Sequence, residues 1–260
     1  MTNTNELRKI KELACKAGNS IMNIYHTNFT VEHKADQSPL TMADQQANEI
    51  IVEGLKKEFS EVAILSEESR DDRSRLEEEY CFIVDPLDGT KEFINRNGQF
   101  TVNIGLVKHQ RVVMGVVYVP VTQTLYYAAK GEGAFKENLQ TGEKTRLMVS
   151  DRLEELVWVG SRSHSSEREA ALIEEKQHLI TETMSAGSSL KGCMVAEGKA
   201  DVYYRFGLTS EWDTAAMQCV VEEAGGIFRQ MDGSEMLYNR ENSLNEKGFF
   251  VVNRKENIWV

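Results

Sequence analysis

Apolar residues near the start of the chain recur every three or four positions, which is the period of an amphipathic helix. One such pattern predicts a helix over residues 5–26, with inward positions Leu7, Ile10, Ala14, Ala17, Ile21 and Ile24. A second predicts a helix over residues 42–58, with inward positions Ala47, Ile50, Ile51, Leu55 and Phe59. Each helix therefore presents one apolar face to the interior.

Short apolar runs rich in β-branched and aromatic residues predict strands after the second helix. They lie at residues 62–65, 80–84, 101–107, 112–119 and 124–129. Because these strands follow one another without helices between them, residues 1–150 are expected to form an α+β domain. Beyond a polar stretch, helices and strands alternate, so residues 151–260 are expected to form an α/β domain. The predicted fold class is α/β, with a domain boundary near residue 150.

The apolar run at residues 80–84 stops at a pair of carboxylates, Asp85 and Asp88. Pro86 is expected to end this strand, because proline cannot donate to a central ladder. Asp85 then lies at the carboxyl end of a strand, where ligands collect in open α/β sheets. Carboxylates at such a place suit Mg²⁺, which binds one or two carboxylates together with phosphate oxygens and water. The alternative is a helix cap followed by a solvated turn acid.

Four other polar positions extend this candidate site. Gly89 and Thr90 open a helical turn, whose free N–H groups suit a phosphate oxygen. Glu67 is the first acid after the strand at residues 62–65, so it is expected to converge with the carboxylates that follow residues 80–84. Asp44 is spaced from Thr41 like the partner in a helix cap, and the second interpretation is that it faces the metal site.

Two similar motifs belong to other classes of protein. An EF-hand loop requires oxygen ligands at alternate positions before its glycine, and Leu87 occupies such a position here. Phosphatases with an aspartate nucleophile carry D-x-D-G-T, whereas this chain has D-x-x-D-G-T. An aspartyl-phosphate mechanism on Asp85 therefore remains the competing enzymatic hypothesis.

Charge and cysteine usage restrict the partners and the compartment. The chain has 260 residues, with 30 basic against 41 acidic side chains and a formal charge of −11. This balance argues against binding a nucleic acid polymer, which requires clustered Lys and Arg. It allows a small phosphorylated substrate if cations neutralise the site. Four scattered cysteines predict free thiols in a reducing compartment, and the absence of a signal peptide or an apolar membrane span predicts a cytoplasmic protein.

A second acidic position opens the helix predicted at residues 212–223. Asp213 lies in its first turn, where a carboxylate is stabilised by the helix N-terminus without any further role. The neighbouring residues favour a further role for Asp213 beyond capping the helix. Ala215 and Ala216 are small and follow the bulky Trp212, as expected for a helix that closely approaches another surface.

The two acidic motifs together resemble a known family. Asp85-Pro86-Leu87-Asp88-Gly89-Thr90 and Trp212-Asp213-Thr214-Ala215-Ala216 are similar to the paired motifs of the inositol monophosphatase superfamily, the lithium-sensitive, magnesium-dependent phosphatases. The resemblance extends over nearly the whole chain. Lys91-Glu92-Phe93 and residues 98–104 resemble the CysQ-type 3′(2′),5′-bisphosphate nucleotidase branch more than the inositol branch. The resemblance implies a layered αβαβα sandwich with its metal site between the two halves.

The resemblance also implies roles for individual residues. Two or three Mg²⁺ ions would be held by Glu67, Asp85, the Leu87 carbonyl, Asp88 and Asp213. All of these except Asp85 would also surround the substrate. The amides of Gly89 and Thr90 would bind the phosphate. Asp44 and Thr90, with Glu67, would orient and deprotonate the attacking water.

Substrate choice depends on four more residues. His164, Ser188, Lys191 and Arg205 match positions that contact the second phosphate and the adenosine in related nucleotidases. Without that match, they are a loop residue, a helix cap and two surface charges. The expected reaction removes the 3′-phosphate of adenosine 3′,5′-bisphosphate to give AMP, a reaction of sulfur metabolism.

Several alternatives and expectations accompany this reaction. The same metal site acting on inositol phosphates or fructose 1,6-bisphosphate is the nearest alternative. A non-catalytic metal-binding protein is a third. The expected partner is a small nucleotide, on a monomer or a homodimer, in the cytoplasm or at the inner face of the cell membrane.

Overall fold

The computed structural model describes residues 3–33, 39–162 and 166–260, and its helices match the predicted periodicity closely. The α-helices of these ranges are α1 (Asn3–Tyr25), α2 (Met42–Glu58), α3 (Thr90–Ile94), α4 (Glu167–Glu175), α5 (Leu190–Ala196) and α6 (Ala215–Glu223). Short 3₁₀ turns occupy Ser74–Glu77, Glu211–Asp213 and Lys255–Asn257. None of the helices in the described parts of the chain is both long enough and apolar enough to cross a bilayer.

The strands of the same ranges form two large sheets and one small hairpin. They are β1 (Val31–His33), β2 (Pro39–Thr41), β3 (Ala63–Ser66), β4 (Tyr80–Asp88), β5 (Thr101–Lys108), β6 (Arg111–Val119), β7 (Thr124–Ala129), β8 (Gly133–Asn138), β9 (Lys144–Arg146), β10 (Leu156–Ser161), β11 (Ile180–Ala186), β12 (Val202–Arg205), β13 (Ile227–Gln230) and β14 (Phe249–Val252). β1 and β2 pair with each other in an antiparallel hairpin.

The first large sheet has seven strands in sequence order, from β3 to β9. Only β3 and β4 are parallel, and every later pair is antiparallel. Alternate residues of β4 serve two different cores, as the period of a strand requires. Phe82 and Val84 pack with α1 and α2 on one face, and Cys81 and Ile83 pack with α5 and α6 on the other.

The second large sheet has five strands, in the order β11-β10-β12-β14-β13. Its inner face joins α5 and α6 through Tyr203, Phe249 and Val251. Its outer face carries Trp158 and Tyr204, which pack with Leu172 of α4. The layers therefore run α1 and α2, seven-stranded sheet, α5 and α6, five-stranded sheet, and α4. The predicted αβαβα sandwich is confirmed.

The predicted end of β4 at Pro86 is wrong. β4 continues to Asp88, and its pairing with β5 places Asp85 opposite Asn103 and Asp88 opposite Thr101. Three steps on β4 thus match two on β5, which makes a one-residue bulge. Proline is tolerated at a bulge, because the extra residue leaves the ladder and needs no partner for its N–H.

The C-terminal helix also differs from its prediction. The pattern predicts one helix over residues 212–223, whereas a 3₁₀ turn at Glu211–Asp213 precedes α6. Thr214, with φ −124°, separates the two segments. Asp213 therefore lies in a turn that leads into α6. The division near residue 150 falls between β9 and β10, which belong to different sheets, and it stays a prediction.

Candidate active site

The bulge in β4 aims two carboxylates at one place. In a regular strand, residues three apart point to opposite faces, so Asp85 and Asp88 would diverge. The extra residue between them removes this divergence. Carboxylate oxygens of Asp85, Asp88 and Asp213 consequently lie within 4.8 Å of one another. These three residues form what is called here the carboxylate cluster.

Asp213 reaches the cluster because α6 packs very closely on the seven-stranded sheet. A Cβ at Gly115 of β6 would lie 2.3 Å from the Ala216 carbonyl oxygen, and a Cβ at Gly105 of β5 would lie 3.0 Å from the Ala215 Cβ. These glycines therefore leave room for the helix backbone. The expectation of a closely approaching helix is confirmed, and the preceding turn brings Asp213 over β4.

The protein orients Asp213 through its own turn. The Ser210 N–H donates to Asp213 Oδ2 at 2.6 Å, and the Asp213 N–H donates to the Ser210 carbonyl at 3.3 Å. The capping role considered for Asp213 is therefore real, but it belongs to the short 3₁₀ turn. A carboxylate oxygen accepts more than one bond, so this cap leaves capacity for a further ligand.

Burial makes the carboxylate cluster electrostatically costly without a cation. Burial, together with the charges of Glu67, Asp88 and Asp213, raises the Asp85 pKa well above its ordinary value. Burial and the Asp88 charge raise the Asp213 pKa to about 8. Burial also raises the Asp88 pKa, against the opposing effect of Lys191. Asp85 is buried and Asp88 and Asp213 are partly buried, so a bound cation would stabilise these converging carboxylates, and their hard oxygen donors fit Mg²⁺.

Glu67 and Leu87 border the carboxylate cluster. Glu67 follows β3, and its N–H donates to the Val84 carbonyl at 3.1 Å, so the ends of β3 and β4 lie side by side as predicted. Leu87 is 2% exposed, and its N–H donates to Asp85 Oδ1 at 3.0 Å. Both residues line the same cavity as the cluster. Either can therefore contribute an oxygen to a cation held there.

Asp44 has the capping role that its spacing allowed and also contacts Thr90, while its facing the metal site stays a prediction. Its Oδ2 accepts from the Thr41 N–H at 2.7 Å and from the Thr41 hydroxyl at 2.6 Å, which caps α2. Its Oδ1 accepts from the Thr90 hydroxyl at 3.1 Å. The residue is 1% exposed, so the two oxygens have distinct and fixed partners.

Gly89 lies where the chain turns from β4 into α3. Its φ is +94°, a left-handed conformation that favours glycine. A Cβ there would lie 3.2 Å from the Gln99 carbonyl oxygen and 3.3 Å from Glu92 Oε2. A side chain at this position would therefore crowd Gln99 and Glu92, and the glycine itself lines the cavity.

The cavity beside the carboxylate cluster has a volume of about 470 Å³ and a mixed lining. The lining includes the acidic groups of Glu67, Asp85, Asp88 and Asp213 together with Ser188, Lys191 and Arg205. Lys191 is 6% exposed and donates to the Ser188 carbonyl at 2.6 Å. Burial lowers the Lys191 pKa to about 8. The structure therefore places two buried cations in the same cavity as the carboxylates, and the alternative of surface charges is wrong.

The remaining substrate-side predictions have different outcomes. Ser188 has φ +45°, and its buried Oγ has no hydrogen-bond partner within the described residues. Ser188 precedes α5 by two residues and makes no cap, so the capping alternative is wrong. Arg205 is 8% exposed, and its guanidinium donates to the Leu208 carbonyl at 3.5 Å. His164 lies outside the described residues.

Sequence analysis missed three residues that donate to Asp88 in the carboxylate cluster, one of which is Thr101, whose hydroxyl donates to Asp88 Oδ2 at 3.4 Å. Asn103 donates to Asp88 Oδ2 at 3.0 Å, and the Ser189 N–H donates to the same oxygen at 2.7 Å. A polar Asn103 inside an otherwise apolar strand was an available signal. Nothing in the sequence distinguishes Ser189 from the adjacent Ser188.

The match to a protein family covers almost the whole chain. The profile of the inositol monophosphatase family matches residues 3–257. The chain belongs to the inositol monophosphatase family. Enzymes of this family use a divalent metal, in agreement with the donor set of the carboxylate cluster.

Two relatives within this family carry the same name. The 3′(2′),5′-bisphosphate nucleotidase CysQ of Salmonella typhimurium is 42% identical over 250 residues, which cover 95% of this chain and 99% of the relative. The crystal structure of CysQ from Bacteroides thetaiotaomicron has a TM-score of 0.84 and 40% identity, and covers 96% of this chain and 98% of that one.

A second solved structure is more distant in sequence but similar in fold. The extragenic suppressor protein suhB from Bartonella henselae has a TM-score of 0.81 and 28% identity. The match covers 96% of this chain and 95% of the other. The layered fold is therefore common to both, while sequence identity is higher with the bisphosphate nucleotidases.

Proposed function

We propose that this protein is a magnesium-dependent phosphatase that removes the 3′-phosphate of adenosine 3′,5′-bisphosphate to give AMP and phosphate. The observation that carries this proposal is the pairing of the carboxylate cluster with Lys191 and Arg205 in one cavity. A substrate with two phosphates would place one at the carboxylate cluster and its metal ions and the other at Lys191 and Arg205. The names of the relatives support a nucleotide as that substrate. An inositol monophosphate has only one phosphate, so it would leave Lys191 and Arg205 without an anion to bind.

The proposed metal is Mg²⁺, with two or three ions bound. The proposed ligands are Glu67, Asp85, the Leu87 carbonyl, Asp88 and Asp213. When bound, Mg²⁺ neutralises the charge of the phosphate, lowers the pKa of water and stabilises the leaving oxygen. The rest of the site then has to bind the phosphate and accept one proton from the attacking water. We assign phosphate binding to the amides of Gly89 and Thr90, where a Cβ at residue 89 would crowd the turn.

Thr90 and Asp44 are the proposed proton acceptors for the attacking water. As water oxygen bonds to phosphorus, the bond from phosphorus to the 3′-oxygen breaks, and the water proton passes to Thr90 Oγ. Thr90 passes its own proton to Asp44 Oδ1, which already accepts its hydrogen bond. The departing 3′-oxygen receives a proton from solvent. Glu67, at the end of β3, orients the same water in this proposal.

The second phosphate and the nucleoside are assigned to Ser188, Lys191, Arg205 and His164. Ser188 supplies a hydroxyl that has no hydrogen-bond partner among the described residues, and Lys191 supplies a buried ammonium group. Charge-assisted bonds from buried cations to phosphate oxygens are about twice as strong as neutral ones. Binding at these residues would therefore orient the 3′-phosphate towards the carboxylate cluster.

Five broader assignments complete the proposal. The resemblance implies inhibition by lithium and a place in sulfur metabolism. The expected location is the cytoplasm, including the inner face of the cell membrane, and the expected assembly is a monomer or a homodimer. Residues 1–150 would carry most metal ligands, and residues 151–260 would carry Asp213 and the nucleotide-binding residues.

The test is phosphate release from adenosine 3′,5′-bisphosphate, inositol 1-phosphate and fructose 1,6-bisphosphate in parallel, with Mg²⁺ and with or without Li⁺. We expect rapid, lithium-inhibited release from the nucleotide. Release mainly from inositol phosphate would keep the metal site and overturn the roles of Lys191 and Arg205. No release from any of the three would overturn the proposed activity.

A further inference from the structure

Ser189 is a buried serine that contacts two members of the carboxylate cluster at once. It is 2% exposed and directly precedes α5. Its hydroxyl oxygen lies 3.0 Å from Asp88 Oδ2 and 3.1 Å from the Asp213 carbonyl oxygen. It also accepts a hydrogen bond of 2.9 Å from the Asn103 amide. The proposed reaction gives this hydroxyl no role.

The donors around Ser189 restrict where its single proton goes. The Asn103 NH₂ group has two hydrogens, and these point to Asp88 Oδ2 and to Ser189 Oγ. The Ser189 N–H supplies a second fixed bond to Asp88 Oδ2, at 2.7 Å. Because Ser189 Oγ accepts from Asn103, its own proton faces the two remaining acceptors, Asp88 Oδ2 and the carbonyl oxygen of Asp213. The serine thus connects the two acidic residues.

This arrangement also selects which carboxylate oxygen faces the cavity. Within the described residues, the hydrogen bonds to the Asp88 side chain all fall on Oδ2, from Ser189, Asn103 and Thr101. Oδ1 is left for a cation. Loss of a group that orients a metal ligand in this way typically weakens metal binding by about 10- to 100-fold.

The left-handed conformation of Ser188 explains how consecutive serines serve different purposes. Ser188 has φ +45°, so the side chains of Ser188 and Ser189 point in different directions. A left-handed conformation of a residue other than glycine costs energy, and such residues cluster at functional sites. Ser188 lines the cavity, whereas Ser189 lies behind the carboxylate cluster. One turn therefore serves both the nucleotide side and the metal side of the site.

We propose that Ser189 is a positioning residue, whose hydroxyl holds the Asp88 side chain and the Asp213 main chain at the separation that a shared divalent cation requires. Asp88 belongs to the seven-stranded sheet, and Asp213 precedes α6, so nothing local in sequence sets their distance. This inference rests on the proposed metal-dependent function. It assigns Ser189 no contact with substrate.

The test compares Ser189→Ala with Ser185→Ala, which removes an exposed hydroxyl from β11. Ser189→Ala keeps the N–H bond to Asp88 and removes only the hydroxyl. Mn²⁺ affinity is measured without substrate, from the electron paramagnetic resonance signal of free Mn²⁺. We expect Mn²⁺ to bind roughly 10-fold more weakly to Ser189→Ala, the usual lower bound for loss of an outer-shell partner. At saturating Mg²⁺, kcat should fall while the KM for adenosine 3′,5′-bisphosphate stays unchanged.

The melting temperature in EDTA separates this role from simple packing. We expect the metal-free melting temperatures of the two variants to agree. Unchanged Mn²⁺ affinity in Ser189→Ala would overturn the proposal, whether or not the metal-free melting temperature falls. The Mn²⁺ measurement needs no substrate, so it remains decisive if the wild-type protein hydrolyses no nucleotide, a result that would overturn the proposed function alone.

Discussion

The Thr90 hydroxyl donates a hydrogen bond of 3.1 Å to Oδ1 of Asp44, a residue that simultaneously caps α2 through Oδ2. The two residues are far apart in sequence, and the cap holds Asp44 in place for Thr90. A carboxylate with both oxygens engaged is a rigid proton acceptor. Stability of the helix start and orientation of Thr90 therefore depend on one side chain.

Replacing Thr90 with Val should remove proton transfer while keeping the size of the side chain. We expect kcat to fall by about 10²-fold or more, the usual contribution of a positioned acid or base. Mn²⁺ affinity should change far less than kcat, because the Thr90 hydroxyl lies closer to Asp44 Oδ1, at 3.1 Å, than to the Leu87 carbonyl, at 3.4 Å. Steady-state kinetics on adenosine 3′,5′-bisphosphate measure the effect. Thr90→Ser should restore most of the activity, and Thr183→Val, at an exposed position of β11, is the matched control.

Asp85→Asn should abolish phosphate release and leave the fold intact. Asp85 is 1% exposed and belongs to the carboxylate cluster, so the substitution removes a charge that the proposed Mg²⁺ ions require. Circular dichroism checks the fold, and phosphate release checks activity. Retained turnover would refute the two-metal scheme. Phosphate trapped covalently on Asp85 of the wild-type protein would instead favour the aspartyl-phosphate mechanism.

The metal-free protein should become less stable as pH rises. Burial and the Asp88 charge raise the Asp213 pKa from its ordinary value of 3.8 to about 8 in the folded protein. Between these values the native state keeps a proton that the unfolded chain has released, so the free energy of unfolding falls with increasing pH. Below about pH 4 this contribution no longer varies, since both states are protonated.

Melting curves in EDTA between pH 5 and pH 8 measure this effect. We expect saturating Mg²⁺ to raise the melting temperature and to flatten its dependence on pH, because the cation favours the ionised carboxylates. Asp213→Asn should flatten the dependence in EDTA without Mg²⁺. If the melting temperatures in EDTA and in Mg²⁺ are the same across this pH range, the result would count against the metal site.

The KM for adenosine 3′,5′-bisphosphate should rise above pH 8. Burial lowers the Lys191 pKa to about 8, so at higher pH the ammonium group loses the proton that attracts the second phosphate. Lys191→Met keeps the length of the side chain and should raise KM by roughly 10-fold or more, the value of a bond to a charged group. Its KM should also vary less with pH.

Adenosine 3′-monophosphate serves as the control substrate for this prediction, because it lacks the second phosphate. Its KM should respond weakly to Lys191→Met. An equal rise for both substrates would show that Lys191 does not recognise the second phosphate.

Gly115→Ala should weaken both the fold and the metal site. Its Cβ would lie 2.3 Å from the Ala216 carbonyl oxygen, so α6 must move away from β6. Overpacking of this kind costs about 1–3 kcal/mol of the free energy of unfolding. The same movement displaces the turn that carries Asp213, so Mn²⁺ affinity should fall as well. Gly105→Ala, with a 3.0 Å contact to Ala215 Cβ, should have a smaller effect on both measurements.

Local patterns predicted most of the elements, because periodicity and caps depend on neighbours in sequence. α2 begins and ends where its apolar face indicates, and Thr41 is its N-cap with Asp44 as the reciprocal partner that the spacing suggests. β8 and β9 were not predicted, since Lys144–Arg146 is exposed and polar and gains its strand conformation from pairing with β8. A propensity scale does not include such a partner.

By itself, the sequence determined the class of fold, the family and the identity of the acidic groups, since the two motifs carry Asp85, Asp88 and Asp213 in recognisable contexts. Only the tertiary structure decided how these groups meet. The bulge in β4 depends on register with β5, and the approach of α6 depends on Gly105 and Gly115. The choice of Ser189 over Ser188 as the contact of Asp88 depends on a left-handed residue. Each arises from contacts between distant segments, which no local pattern encodes.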